Sequence, residues 1–203
     1  MTHQGIYDRS GNKRQENERQ EDVLNVRRIE FKSNTSQPRG EIKAMKNLLI
    51  VYYSQSGHTK TLAQEIAHGA EGYDIQVRVK RVEETSNDDL SQADAIIIGS
   101  PVYFGGMAAP LKEFIDRSVT IRGSLRNKIG AAFVTSGHQT GGKETTILSI
   151  IQAMLIHEMI IVGDPISAGG HYGAAALGAP DQEAINQGRA LGARVAELVN
   201  RLK

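Results

Sequence analysis

Residues 47–59 read NLLIVYYSQSGHT, and this stretch decides the fold. It opens with an almost uninterrupted apolar run, which is typical of a strand buried on both faces of a sheet. A polar turn follows at once, and from Thr59 to Ala70 apolar side chains such as Leu62 and Ile66 recur at helical spacing. The stretch therefore predicts a buried strand, a polar loop and a helix that packs on the sheet.

The remainder of the chain repeats this alternation. Residues Ile75 to Val82 alternate apolar and charged side chains, which favours an edge strand, whereas the largely apolar runs 95–101 and 129–135 are typical of central strands. Another apolar run, 159–162, predicts a fifth strand. Further helices are predicted over 109–118, 143–157 and 181–202, and a short one over 88–91.

This order of elements predicts an α/β fold. Right-handed crossovers place successive helices over a parallel sheet, so the expected architecture is a three-layer, doubly wound sandwich around a five-stranded parallel sheet. Such sheets bind ligands beyond the carboxyl ends of their strands, where the winding direction reverses. We therefore expect the functional residues in the loops that follow the strands.

Polar residues dominate positions 1–44, where Val23, Leu24 and Val26 form a single short apolar group. Such a segment cannot bury enough apolar surface to fold alone. We predict a disordered N-terminal extension, with one domain over 45–203; a partner-binding arm or a helix packed on the domain are the alternatives. Met45 is a candidate for the true start.

Composition excludes several classes of function. The 24 Lys and Arg residues balance 23 Asp and Glu residues, so no basic face for nucleic acid is expected. With no cysteine, the chain cannot form disulfides, thiolate metal sites or iron–sulfur clusters, and no metal site is predicted. No apolar run approaches the roughly 18 residues that span a bilayer, and the first residues lack a secretory signal. We expect a cytoplasmic protein without membrane insertion.

A hydroxyl-rich turn follows the first strand. Backbone N–H groups at a helix amino terminus, together with serine and threonine hydroxyls, can bind a phosphate without a lysine. The motifs GxxxxGK[ST] and GxGxxG are both absent, which favours FMN over a nucleoside triphosphate or a dinucleotide. An ordinary strand-to-helix turn is the alternative. The predicted phosphate-binding residues are Ser54, Gln55, Ser56, Gly57, His58 and Thr59.

Two more loops, 99–107 and 135–142, combine glycines with polar or aromatic residues at the ends of the third and fourth strands. Glycines let backbone amides approach the polar edge of a planar cofactor, and aromatic rings can lie against its face. Alternatively, Phe104 fills the core and Tyr103 caps the sheet. The residues predicted to contact the flavin ring are Pro101, Val102, Tyr103, Phe104, Gly105, Thr135, Ser136, Gly137 and His138.

His157 ends the predicted helix 143–157. A histidine at this position either interacts favourably with the helix dipole or contacts the cofactor. Tyr172 lies in a glycine-rich loop that either lines the pocket or serves only as a connector.

From Met45 onward the chain resembles the WrbA family of FMN-dependent NAD(P)H:quinone oxidoreductases, within the flavodoxin superfamily. The resemblance is carried by LLIVYYSQSGHT, GSPVYFGGMAAPLKEFIDRS, FVTSGHQTGGKET, LIHEMIIV and HYGA. It implies a flavodoxin-like FMN-binding domain over 45–203, whose first loop holds the phosphate and whose next two loops hold the isoalloxazine. It also implies that a histidine like His157 approaches the flavin.

The resemblance further implies a two-electron, ping-pong transfer of hydride from NADH or NADPH, through FMN, to a quinone or another small-molecule acceptor. The FMN carries the chemistry, so no catalytic side chain is predicted, and a homodimer or homotetramer is expected. A flavodoxin-type one-electron carrier and an FMN-holding interaction module are the alternatives. The chain departs from the family at Tyr103 and Gly106, where Arg and Asn are usual, at Ser56, where an aromatic is usual, and in having no tryptophan.

Overall fold

Helices cover both faces of a parallel sheet in this protein, for which a computed structural model describes residues 45–202. The strands are β1 (Lys46–Tyr52), β2 (Ile75–Arg81), β3 (Ala95–Tyr103), β4 (Gly106–Met107), β5 (Ile129–Ser136), β6 (Ile160–Ile161) and β7 (Ala174–Leu177). The helices are α1 (His58–Ala70), α2 (Asn87–Gln92), α3 (Ala109–Arg117), α4 (Lys143–Ile156) and α5 (Gln182–Arg201). The predicted N-terminal extension, 1–44, lies outside the described residues.

The sheet has the order β2-β1-β3-β5-β6, and these strands all run parallel. The α/β doubly wound prediction is confirmed, with β2 at an edge and the buried strands β3 and β5 in the centre. The chain moves outward from β1 to β2 and then returns to the other side of β1. The winding direction therefore reverses between β1 and β3, which is where such sheets bind ligands.

Each central strand buries both of its faces. On one face, side chains such as Ile50 and Phe133 pack with α1 and α5. On the other face, side chains such as Val51 and Val134 pack with α3 and α4. This double burial explains why these strands read as continuous apolar runs.

Glycines allow α1 and α5 to pack backbone against backbone. A Cβ added at Gly192 would lie 1.9 Å from the carbonyl oxygen of Ile66, and one at Gly69 would lie 1.9 Å from that of Arg189. No side chain can occupy such a space, so these two positions require glycine.

The fifth strand position is divided into two pieces. β6 pairs with the start of β5 and β7 pairs with its end, while residues 162–173 leave the sheet between them. The Asp164 carboxylate accepts hydrogen bonds from the backbone N–H groups of Gly170 and His171, which fold this segment on itself. The predicted strand 159–162 is thus only two residues long, and β7 was not predicted. Tyr172 belongs to the connecting segment.

Within residues 45–202, no helix has both the length and the apolar character needed to cross a membrane.

Candidate functional site

Three loops meet at the carboxyl ends of β1, β3 and β5. We name them loop A (54–59), loop B (101–106) and loop C (135–142). Because these neighbouring strands run parallel, their ends lie along the same edge of the sheet. The structure therefore brings together the residues predicted for the phosphate and those predicted for the flavin ring.

Loop A leaves the amino terminus of α1 open to an anion. Gly57 is the residue before the helix, with a φ of 94°, a conformation that favours glycine. It caps the helix without a side chain, so the first N–H groups of α1 remain available to a ligand. The Ser54 hydroxyl accepts a hydrogen bond from the Gly57 N–H at 3.2 Å, which curls the loop over the strand end.

A buried hydrogen bond connects loop A to loop C. The hydroxyl oxygens of Thr59 and Thr135 are 2.8 Å apart, and both side chains are buried. The two residues were predicted for opposite ends of the cofactor, yet they are direct neighbours. This contact fixes the start of α1 against the end of β5.

Loop B is a tight hairpin between β3 and β4, with Tyr103 paired to Gly106. Its two central residues, Phe104 and Gly105, have φ values of 49° and 76°. Two successive positive φ angles are the pattern of a type I′ turn, in which asparagine or glycine is usual and phenylalanine is strained. The Phe104 ring is fully exposed, at 112 % of its reference area, so it does not fill the core.

Tyr103 connects loop B to loop A. Its hydroxyl donates to the side-chain oxygen of Gln55 at 2.9 Å, and its ring meets Tyr53 edge-on with the centroids 6.4 Å apart. Burial, and to a lesser extent Tyr53, raises the pKa of the Tyr103 hydroxyl. The hydroxyl therefore stays protonated at neutral pH and remains a donor.

Loop C is folded by its own polar groups. The Ser136 hydroxyl donates to the carbonyl oxygen of His138 at 2.7 Å and accepts from the His138 N–H. Beyond the loop, the Thr145 hydroxyl donates to the carbonyl oxygen of Gly105 at 3.0 Å, so the first turn of α4 holds loop B. A Cβ on Gly142 would lie only 2.9 Å from the Gly105 Cα, which shows how closely loops B and C approach.

These contacts close a ring. Loop A is bonded to loop B through Tyr103, loop A to loop C through Thr59, and loop B to the start of α4 through Thr145. A site held by such cross-links is ordered before its ligand arrives, which lowers the entropic cost of binding.

Arg81 is a neighbour of loop A that sequence reasoning missed. One nitrogen of its guanidinium donates to the Ser54 carbonyl oxygen at 3.2 Å, and another lies 3.3 Å from a carboxylate oxygen of Glu83. The parallel register pairs Arg81, the last residue of β2, with Tyr52, the last residue of β1. The pairing of β1 with β2 was the signal that could have revealed Arg81, because it brings the end of β2 beside the start of loop A.

His157 lies apart from loops A, B and C, so this placement gives no support to the prediction that it contacts the cofactor, which stays a prediction. The helix α4 starts at loop C and runs back along the sheet, so His157 lies at the amino edge, next to the residues that precede β5. The imidazole is buried, and its Nε2 is 2.8 Å from the Ser118 hydroxyl. Burial, followed by the charge of Arg122, lowers the pKa of His157.

The residues of loops A, B and C fit FMN. Loop A offers helix N–H groups and hydroxyls, which suit a monophosphate. A Cβ added at Gly57, Gly105 or Gly137 would meet no protein atom within 4 Å, so each of the three loops borders open space. The exposed rings of Tyr103 and Phe104 border the same site and suit a planar group. The described residues contain no group of acidic or histidine side chains placed to bind a metal.

Comparison with known proteins identifies the family. A family model described as NADPH-dependent FMN reductase matches residues 82–174. The chain is 35 % identical to an NAD(P)H dehydrogenase (quinone) of Archaeoglobus fulgidus over 78 % of this chain and 100 % of that protein. It is 37 % identical to one of Azorhizobium caulinodans over 68 % of this chain and 85 % of that protein.

Solved structures show the same fold. A flavodoxin, WrbA-like protein from Agrobacterium tumefaciens superposes with a TM-score of 0.67 at 28 % identity, over 78 % of this chain and 99 % of that one. A flavodoxin from the domain Archaea gives a TM-score of 0.64 at 28 % identity, over 76 % of this chain and 99 % of that one. The chain belongs to the WrbA-like NAD(P)H dehydrogenase (quinone) family, flavodoxin-like oxidoreductases that use FMN.

Proposed function

We propose that the protein moves two electrons per turnover from NADH or NADPH to a quinone or another small-molecule acceptor. The observation that supports this proposal is the ring of loops A, B and C, which joins an uncharged phosphate cradle to two exposed aromatic rings. The redox chemistry is that of the bound FMN. The tasks left to the chain are to hold the cofactor and to position both substrates.

In this proposal, loop A holds the phosphate with the N–H groups at the start of α1 and with hydroxyls of Ser54 and Ser56. Loops B and C flank the planar ring, and their backbone N–H groups face its polar edge. Donors fixed in advance stabilise developing negative charge without reorganising during the reaction. No side chain is required to act as an acid or a base.

Phe104 provides a stacking surface for flat substrates in this proposal. Its ring is exposed beside the predicted flavin position, on a backbone that phenylalanine rarely adopts. Strained residues are retained where surrounding structure or function demands them. Nicotinamide and quinone rings are both planar, so the two substrates can use the same surface in turn, and we expect ping-pong kinetics.

The test uses the purified FMN-loaded protein under anaerobic conditions. Oxidation of NADH and NADPH is followed with and without benzoquinone, at several fixed concentrations of each substrate. We expect quinone-dependent turnover with parallel lines in double-reciprocal plots. A protein that holds FMN but is reduced by neither nucleotide would contradict the proposal.

A flavodoxin-type one-electron carrier is the second candidate, and the structural similarity to the archaeal flavodoxin favours it. The near-neutral charge of the chain argues against it, because carriers dock through charged faces. Failure with both nucleotides, combined with electron exchange with a redox protein, would favour the carrier. The expected homodimer or homotetramer stays a prediction.

A further inference from the structure

Arg81 contacts the peptide group between Ser54 and Gln55, at the start of loop A. Its guanidinium donates to the Ser54 carbonyl oxygen at 3.2 Å and is held in place by Glu83 on its other side. A guanidinium is planar and rigid, so two bonds to separate groups fix its orientation. We propose that Arg81 is a positioning residue that gives the site its preference for a phosphorylated flavin; this inference rests on the proposed FMN site.

The geometry of the Ser54–Gln55 peptide links Arg81 to the phosphate cradle. In a planar trans peptide, the carbonyl oxygen and the N–H point in opposite directions. Described peptide bonds include no cis bond. Because Arg81 draws the Ser54 carbonyl toward β2, the N–H of Gln55 in the same peptide points away from β2. It makes no hydrogen bond to another group among residues 45–202, so it is free for a ligand.

Arg81 also polarises the Ser54–Gln55 peptide. A charged donor on a carbonyl oxygen withdraws electron density from the whole peptide, and chained hydrogen bonds strengthen one another. The Gln55 N–H thereby becomes a better donor to an anion. Arg81 acts through this peptide rather than as a direct counter-charge, because Glu83 shares its charge and about a third of the side chain is exposed (37 %).

The effect of Arg81 is selective for a phosphorylated flavin. Loop A contains no lysine or arginine, so its affinity for a phosphate depends on how its N–H groups are oriented. Riboflavin presents the same ring and ribityl chain without the phosphate. An arginine that orients an anion donor therefore affects FMN binding and leaves riboflavin binding unchanged, whereas a residue that merely supports the fold affects both.

The experiment measures dissociation constants of FMN and of riboflavin by flavin fluorescence, with the full-length apoprotein and its variants. Arg81→Gln is expected to weaken FMN binding about tenfold, the size of a lost charge-assisted hydrogen bond, and riboflavin binding by less than about twofold. Arg81→Lys, which keeps a donor, is expected to restore part of the FMN affinity.

Glu83→Gln is the matched control, because it removes the carboxylate charge but keeps the arginine and a side-chain oxygen that can accept its hydrogen bond. It is expected to bind FMN at least as tightly as the wild type. An equal loss of FMN and riboflavin in Arg81→Gln would overturn the inference, as would unchanged FMN binding or an equal FMN loss in Glu83→Gln. Wild-type protein that binds neither flavin would instead contradict the proposed function itself.

Discussion

At the scale of single residues, Phe104 combines a strained backbone with an exposed ring. The φ of 49° places it in the left-handed region, which costs an L-residue about 1–2 kcal/mol. Nothing in the core compensates this cost, because the ring is exposed. If its ring serves as the proposed stacking surface, one substitution at Phe104 is expected to change stability and turnover in opposite directions.

Replacing Phe104 with Asn, the residue that type I′ turns prefer before glycine, is expected to raise the free energy of unfolding by about 1 kcal/mol. The same variant is expected to turn over NAD(P)H and quinone more slowly, because it loses the stacking surface. Thermal denaturation and steady-state kinetics measure the two effects. A variant that is neither more stable nor slower would show that the ring and the strain have no role.

His157 links the stability of the domain to pH. The pKa of its imidazole is lowered from the usual 6.5 by burial and by Arg122. Its Nδ1 is buried and has no hydrogen-bond partner among the described residues, so a proton there is left unpaired. The unfolded chain consequently binds this proton at a higher pH than the folded chain does. The stabilising contribution is complete above pH 6.5 and is lost as the pH falls through the lower folded-state pKa.

We therefore expect the wild type to lose free energy of unfolding between about pH 7.5 and about pH 5, and His157→Gln to lose less over the same range. Denaturant titrations at both pH values measure this difference. FMN affinity is expected to be the same in both proteins, because His157 lies at the opposite edge of the sheet. A weaker affinity in the variant would support the prediction that His157 contacts the cofactor.

At the scale of elements, α1 and α5 pack so closely that their contact depends on glycines. Gly192 faces the carbonyl oxygen of Ile66, while Gly188, one turn earlier on α5, faces the side chain of Leu62. Backbone cannot move aside as a side-chain methyl can. The two glycines therefore offer a matched pair with the same helix and the same neighbour.

Gly192→Ala is expected to destabilise the domain by about 1–3 kcal/mol, the usual cost of overpacking, despite the gain in helix propensity. Gly188→Ala is expected to cost less, since its Cβ would meet the Leu62 Cδ1 at 2.9 Å and that group can rotate. Chemical denaturation of both variants measures the contrast. Equal effects would show that α5 shifts to accommodate either methyl group.

The elements also show what the sequence could and could not predict. The three loops were predictable, because parallel strands bring every polar loop to one edge of the sheet. The separation of His157 from loop C was predictable: a 14-residue helix carries the chain about 21 Å back from the edge where it starts. The pairing of Tyr103 with Gln55 was not predictable, because it depends on how loop B turns, and a Phe-Gly turn is an unusual one.

At the scale of the whole molecule, the doubly wound sheet followed from the alternation of apolar runs and helical stripes. The divided fifth strand did not, because β7 consists of Ala174–Leu177, and three alanines carry no strand preference. Arg81 was hidden for a similar reason. In the sequence, a charged residue in an edge strand is expected to face solvent. Only the register between β1 and β2 shows that Arg81 lies beside the Ser54 carbonyl oxygen.

The division between β6 and β7 also disfavours aggregation through this edge of the sheet. A long unpaired strand at the edge of a sheet is a template on which another chain can add a strand and aggregate. Here that edge offers one piece of two residues and one of four, separated by a segment that folds on Asp164. Neither piece is long enough to guide a foreign strand into register. Because the segment leaves and rejoins the sheet at its edge, an insertion there would cost little beyond loop closure.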